Sequence, residues 1–273
     1  MKEFSLLMSI YKGEKVVYLK ACFDSIFQQS YQPTEIVLVE DGLLTTELYK
    51  AIEEEEKRFP NLKRVKLEKN QGLGIALNEG MKACTYDIIA RMDTDDICMP
   101  DRFKVQIEYI QKHPEVDVLG AWITEFDHDP INHIGIRSLP ENHEDIFKFG
   151  KKRNPINHPV VMFRKNAIID VGGYLPCNLF EDYYLWGRLL QNGYHFHNLQ
   201  QSLLLFRRTP EMINRRGGFQ YARYEIHFFN ELLKIGYISR LEFIRNLLQR
   251  YIIRILPNGI RSFIYKFFLR SIP

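Results

Sequence analysis

No apolar run in this 273-residue sequence approaches the ~18 residues needed to cross a bilayer; the longest, such as 202–206, are only a handful. No transmembrane helix is therefore expected. The N-terminal stretch lacks the longer apolar segment and small-residue cleavage site of a secretory leader. Cysteine is scarce and scattered: Cys22, Cys84, Cys98 and Cys177 form no C-x-x-C pair. That excludes a disulfide framework or a zinc site and points to reduced thiols in a cytosolic protein. Glycine (16) and proline (12) are too few for a collagenous or low-complexity chain.

The net charge is small, +3, but unevenly placed. Residues 240–273 carry seven basic side chains and one acid, Glu242, which leaves the first 239 residues at −3. In this tail Leu241, Ile244, Leu248, Tyr251 and Ile255 recur at helical spacing among Arg245, Arg250 and Arg254. Pro257-Asn258-Gly259 then breaks the helix, and a second basic-aromatic segment, Ile260–Arg270, follows. Basic residues around an apolar stripe suit a helix lying on an anionic membrane, the alternative being packing on the protein's body or on a second copy. Nucleic acid is a poor partner, because the body is net acidic and shows no binding motif.

The first half repeats a short apolar strand, a turn and an amphipathic helix. Strands are expected at Phe4–Ile10, Glu35–Val39, Arg64–Leu67, Asp87–Met92 and Val116–Ile123. Helices are expected after Val16, through Glu53–Lys57, over Leu73–Ala83 and over Arg102–Gln111. The near-continuous apolar run at Ile36-Val37-Leu38-Val39 fits a strand buried on both faces. Such alternation predicts a doubly wound α/β fold, with ligands beyond the carboxyl ends of the strands. The second half is less regular, with strands expected at Pro159–Phe163 and Ser202–Arg207 and a helix over Tyr183–Gln191.

Four strings carry chemistry. Arg91-Met92-Asp93-Thr94-Asp95-Asp96 ends a strand. In extended chain Asp93 and Asp95 face one side and Asp96 the other. Converging carboxylates must share a proton or hold a cation, and hard oxygen ligands suit Mg²⁺ or Mn²⁺. The same string also serves as a solvated acidic turn, with Asp96 a helix cap. Glu40-Asp41-Gly42 again puts acids at a strand end. Asn70-Gln71-Gly72-Leu73-Gly74 could let backbone approach a ligand, but it lacks the third glycine or alanine of a dinucleotide fingerprint. Glu181-Asp182 opens a helix, where an acid either caps or, partly desolvated, takes a proton. Trp186 reads as core, and His158 as a structural histidine.

Taken in order, these strings resemble glycosyltransferase family 2, inverting nucleotide-sugar transferases with the GT-A fold. The resemblance spans about Phe4 to Arg208. It rests on Ser9-Ile10-Tyr11 with Glu14, Glu40-Asp41-Gly42, Asn70-x-Gly72 with Asn78, and the D-x-D of Asp93 and Asp95. Pro100-x-Arg102, His158-Pro159, Gly172-Gly173-Tyr174 and Glu181-Asp182-x-x-Leu185-Trp186 complete it. The chain departs from the family at Ser9-x-Tyr11-Lys12 and at Glu40, and it lacks the processive Q-x-x-R-W signature. Phe206-Arg207 stands where many relatives carry Tyr-Arg, with no metal-ligating His after it.

The resemblance implies a Rossmann-like, mostly parallel sheet flanked by helices, with a C-terminal amphipathic extension. Residues 1–210 would form the catalytic domain (1–97 the nucleotide half, 98–210 the acceptor half), and 211–273 the membrane-associating extension. It further implies that Ser9, Tyr11 and Glu14 line the nucleotide pocket, that Asp41 contacts uracil, and that Asn70 and Asn78 border the nucleotide. Asp93 would reach ribose and metal, Asp95 would ligate Mn²⁺ or Mg²⁺, and Asp182 would be the general base. The implied reaction moves a hexose, galactose or glucose, from a UDP-sugar to an undecaprenyl-diphosphate-linked saccharide at the cytoplasmic face of the plasma membrane. A nucleotidyltransferase and a non-catalytic nucleotide-binding scaffold are the alternatives. The first lacks its Gly-rich basic loop after the opening strand, and the second leaves Asp93, Asp95 and Asp182 without purpose.

Overall fold

The structure, a computed structural model, describes residues 2–127, 129–208 and 218–255. Strands β1 (Ser5–Ile10), β2 (Glu35–Glu40), β3 (Leu62–Lys66) and β4 (Ile88–Asp93) alternate with helices α1 (Val16–Phe27), α2 (Thr46–Arg58) and α3 (Leu73–Ala83). Successive side chains of a strand point to opposite faces. Leu6, Met8 and Ile10 accordingly enter one core with Leu19 and Phe23 of α1 and Ile52 of α2. Leu7 enters the other core, with Val37, Val39 and Leu77 of α3. Burial on both faces explains why β2 carries no polar alternation.

β1 pairs in parallel with both β2 and β4, and β2 with β3, giving the order β3-β2-β1-β4. The chain thus moves outward from β1 through β3 and returns to lay β4 on the opposite side. A reversal of this kind opens a crevice at the carboxyl ends of β1 and β4, the place where open α/β sheets bind ligands.

Beyond β4 come β5 (Ile97–Cys98), α4 (Arg102–Lys112), β6 (Val118–Phe126), β7 (His133–Arg137) and α5 (His143–Gly150). A 3₁₀ turn (His158–Val160), β8 (Met162–Arg164), α6 (Lys165–Asp170), α7 (Glu181–Gln191) and β9 (Phe196–Arg207) follow. Here the regular strand–helix alternation of the first half gives way to antiparallel additions. β8 inserts antiparallel between β4 and β6, β5 pairs antiparallel with β9, and β6 runs parallel to β9. The sheet is therefore mixed. The strand expected at Pro159–Phe163 begins only at Met162, because Pro159 lacks an amide hydrogen for the ladder and lies in the 3₁₀ turn.

Helices α8 (Phe219–Lys234) and α9 (Arg240–Ile255) close the described chain. Phe228 of α8 stacks on Phe180 with centroids 4.9 Å apart and meets Tyr183 at 4.4 Å, docking the helix on α7. The expected break at Pro257–Gly259 and the segment Ile260–Arg270 lie outside the described residues. All four cysteines are free and buried. No helix among the described residues is long and apolar enough to cross a membrane.

Candidate active site

The register of the parallel strands aligns their carboxyl ends. Ile10 lies opposite Glu40, and Ser9 opposite both Val39 and Asp93. The segments after β1, β2 and β4 therefore emerge side by side, bringing Tyr11 and Glu14, Asp41, and the acidic turn to one rim.

At that turn the extended-chain expectation fails. The chain turns at Thr94-Asp95, so alternation ends, and Asp93, Asp95 and Asp96 bring carboxylate oxygens within 4.8 Å of one another. Asp96 is no helix cap. Its Oδ1 accepts from the Arg207 amide at 2.8 Å, and its Oδ2 is buried without a hydrogen-bond partner among the described residues. Burial, then the neighbouring Asp93 and Glu14 carboxylates, push Asp95 up to about 7. Burial followed by Asp95 and Asp93 raises Asp96 well above the usual carboxylate range. Glu14 reaches the same turn: its Oε2 accepts from the Thr94 hydroxyl at 2.5 Å, and burial raises its pKa.

Asp41 is buried and acts as a staple. Its Oδ1 accepts from the Gln71 amide at 2.7 Å, and its Oδ2 from the Gly72 amide at 3.0 Å and Asn70 Nδ2 at 2.9 Å. Neighbouring Gly42 sits at φ +85°, where a Cβ would come within 2.5 Å of the Asn70 amide nitrogen, so only glycine fits. Asn78 performs a similar task one helical turn into α3. Its Oδ1 accepts from the Tyr174 amide and its Nδ2 donates to the Tyr174 carbonyl, each at 2.8 Å, fixing the Gly172-Gly173-Tyr174 turn. Tyr11 is half exposed, its ring lying over Gly13.

Across the rim, Glu181 and Asp182 form the first turn of α7. Asn154 Nδ2 donates to Asp182 Oδ2 at 2.7 Å. Burial, then the Asp182 charge, push Glu181 up to about 7, with Arg91 acting in the opposite sense. Tyr174 joins the two sides. Its buried hydroxyl meets His158 Nε2 at 2.8 Å and lies within electrostatic reach of Arg91, Asp182, Glu181 and Asp93 at once. Acids separated by about ninety residues of chain, Asp93 and the pair Glu181-Asp182, thus act electrostatically on one buried hydroxyl. His158 and Trp186 are buried core residues, as expected.

The model of the family described as "Glycosyl transferase family 2" matches residues 5–172. The chain belongs to glycosyl transferase family 2. This glycosyltransferase is 38% identical over 98% of its length to the UDP-Gal:alpha-D-GlcNAc-diphosphoundecaprenol beta-1,3-galactosyltransferase of Escherichia coli, covering 97% of that protein. It is 40% identical to the amylovoran biosynthesis glycosyltransferase AmsE of Erwinia amylovora, over 96% of this chain and 98% of that one. Its fold matches the crystal structure of residues 1–349 of S. aureus TarS in complex with UDP-GlcNAc. The TM-score is 0.67 at 18% identity, covering 97% of this chain and 73% of that one.

Three acids with an orphaned buried oxygen, all hard donors, fit a divalent cation, and the glycosyltransferase would hold it with Asp93, Asp95 and, unforeseen in the sequence, Asp96. Two further residues were given no role by the sequence. Arg91 is buried and grips both oxygens of Asp93 through Nη1 and Nη2. Arg207 Nε donates to the Asp95 carbonyl at 2.9 Å while its guanidinium lies 3.9 Å from the centre of the Tyr18 ring. The Phe206-Arg207 pair was the available signal for the second; Arg91 gave none, since an arginine inside an apolar strand looks out of place until its partner is seen.

Proposed function

We propose that this glycosyltransferase transfers galactose or glucose from a UDP-sugar, with inversion, to a lipid-linked diphosphosaccharide during surface polysaccharide synthesis. The carrying observation is the acid cluster at the end of β4, whose Asp93 acts together with Glu181 and Asp182 of α7 on the buried Tyr174 hydroxyl. It occurs in a chain similar over nearly its whole length to a galactosyltransferase acting on GlcNAc-diphosphoundecaprenol.

Ser9, Tyr11, Glu14, Asp41, Asn70 and Asn78 border the nucleotide. Asp41 takes a base N–H beside, or in exchange for, its bonds to Gln71 and Gly72, so nucleotide binding and the 70–72 loop are coupled through one carboxylate. Asp93, Asp95 and Asp96 hold Mn²⁺ or Mg²⁺, and Arg91 holds both oxygens of Asp93 in place. When bound, the cation offsets the charge that develops on the leaving diphosphate. Asp182 removes the proton from the acceptor hydroxyl as that oxygen attacks the anomeric carbon from the face opposite the leaving group. General-base assistance of this kind contributes ~10²–10⁴-fold.

Residues 1–97 serve the nucleotide, 98–210 the acceptor, and 211–273 the membrane. Leu241, Ile244 and Leu248 are exposed along one face of α9, and basic residues flank them. Each basic side chain near an anionic surface contributes ~1 kcal/mol, enough in sum to keep the enzyme peripheral on the cytoplasmic leaflet where a lipid-linked acceptor resides.

The test is a transfer assay with a panel of UDP-sugars, Mn²⁺ and a GlcNAc-diphospho-lipid acceptor, the product's anomeric configuration being read by NMR. UDP-galactose or UDP-glucose should be used and the configuration inverted. Retention, or no transfer from any UDP-sugar, would sink the proposal.

A further inference from the structure

Helix α9 shows its inner face to a short segment that ends at the catalytic rim. Phe243 and Leu247 pack on the core containing Trp186 and Phe228. Between them Asn246, 2% exposed, donates from Nδ2 to the Lys151 carbonyl at 2.8 Å. One turn later Arg250 donates to the Lys152 carbonyl from Nη2, and to the buried Glu225 carboxylate from Nη1 at 2.5 Å. Glu242 adds an ion pair with Lys151 Nζ at 3.4 Å. Two consecutive carbonyls of the segment are therefore tied to α9.

The other end of the segment is Asn154. Its Oδ1 accepts from the Ile156 amide at 3.3 Å, which orients the side-chain amide, and its Nδ2 donates to Asp182 Oδ2 at 2.7 Å. Lys152 and Arg153, between the two ends, are exposed. With little apolar burial there, the segment's position depends on these polar ties and on the bonds of the Lys152 and Arg153 amides to the Phe149 carbonyl at the end of α5.

We propose that residues 151–154 form a strap through which helix α9 sets the orientation of the Asp182 carboxylate, Asn154 being the positioning residue. The inference rests on Asp182 acting as the base. Asn154 engages one carboxylate oxygen, so a shift of the strap moves one of the contacts that orient Asp182. Small misplacements of a reacting group are expensive, ~10²-fold for about 1 Å. An α9 that loosens at Asn246 or Arg250 would therefore be felt at the reacting proton through the strap.

The experiment uses the full chain and compares Asn154→Ala, Asn246→Ala, their double variant and Asp182→Asn, with transfer kinetics and melting temperature as readouts. Asn154→Ala should lower kcat by ~10–10²-fold while the donor KM stays near its wild-type value, a split that general loosening of the fold would not give. Asn246→Ala should lower kcat in the same sense. The double variant should be no slower than Asn154→Ala alone, because both act through one strap. Arg250→Gln releases the strap at Lys152 and replaces Asn246→Ala if that variant does not melt cooperatively. Losses that multiply in the double variant, or a wild-type kcat for Asn154→Ala beside an inactive Asp182→Asn, overturn the proposal. Turnover retained by Asp182→Asn itself would instead overturn the base assignment.

Discussion

Arg91 grips both carboxylate oxygens of Asp93 from beneath the end of the sheet, where its own side chain is almost wholly buried. A buried guanidinium needs an anion, and an acid among acids needs a cation; here the two residues meet through Nη1 and Nη2, while Arg91 Nε is left without a hydrogen-bond partner among the described residues. The pair sets a fixed positive group against one of three crowded carboxylates.

Arg91→Met should therefore leave the acid cluster uncompensated. Removing one partner of a buried pair is strongly destabilising, but Asp93 is 30% exposed, so a loss of ~2–3 kcal/mol is expected. Adding Mn²⁺ should raise the variant's melting temperature more than the wild type's, since the cation then supplies the missing positive charge. Unchanged melting without metal would show that Arg91 does not hold the cluster.

The acids at 182 and 95 should fail differently. Asp182→Asn should lose ~10²–10⁴-fold in kcat and still bind UDP-sugar, because base assistance is made only in the transition state. Asp95→Asn should lose the Mn²⁺-dependent stabilisation by UDP-sugar seen in thermal melting. Equal effects of the two variants on donor binding would contradict the division of labour.

Membrane contact is best probed on the outer face of α9, because truncation after residue 239 would also remove Phe243, Leu247, Asn246 and Arg250 from the body. The triple variant Leu241→Glu, Ile244→Glu, Leu248→Glu should fold normally yet sediment poorly with anionic phospholipid vesicles. Wild-type chain should sediment well at low salt and less at high salt, as charge attraction to a surface requires. Identical partitioning of the two would remove the membrane reading.

Acid stability should be governed partly by Glu35, far from the rim. Burial alone would raise its pKa, but Lys63, the Ser5 hydroxyl and the Thr85 amide and hydroxyl outweigh it and hold the carboxyl at about 2. Its folded pKa lies below its unfolded one, so the stabilisation is full above the ordinary carboxylate range and is lost as pH falls from ~5 towards 2; by linkage it is worth about 3 kcal/mol. Urea unfolding at several pH values should show this loss in the wild type and a flatter acid limb, from a lower plateau, in Glu35→Gln.

Much of this was written in the order of residues. The apolar runs of β1, β2 and β4 are buried on both faces, and a strand that must hide both faces cannot alternate, so their type and place could be read directly. The D-x-D, the Glu40-Asp41-Gly42 turn and the Glu181-Asp182 helix start could be named for the same reason: each sits where a strongly patterned element begins or ends.

What the sequence by itself determined, then, was the alternating strands and helices of the first half and the acids at their ends, because burial and period act over a few residues. Tertiary structure alone decided that β8 enters antiparallel, that the turn at Thr94 swings Asp96 into the cluster, that Arg91 answers Asp93, and that α9 is tied through Lys151 and Lys152 to Asn154 and Asp182. These are pairings between groups distant in the chain or turned by a single bend. A hydrogen bond or ion pair forms over about 3 Å of space whatever the separation along the chain, so no local pattern records it.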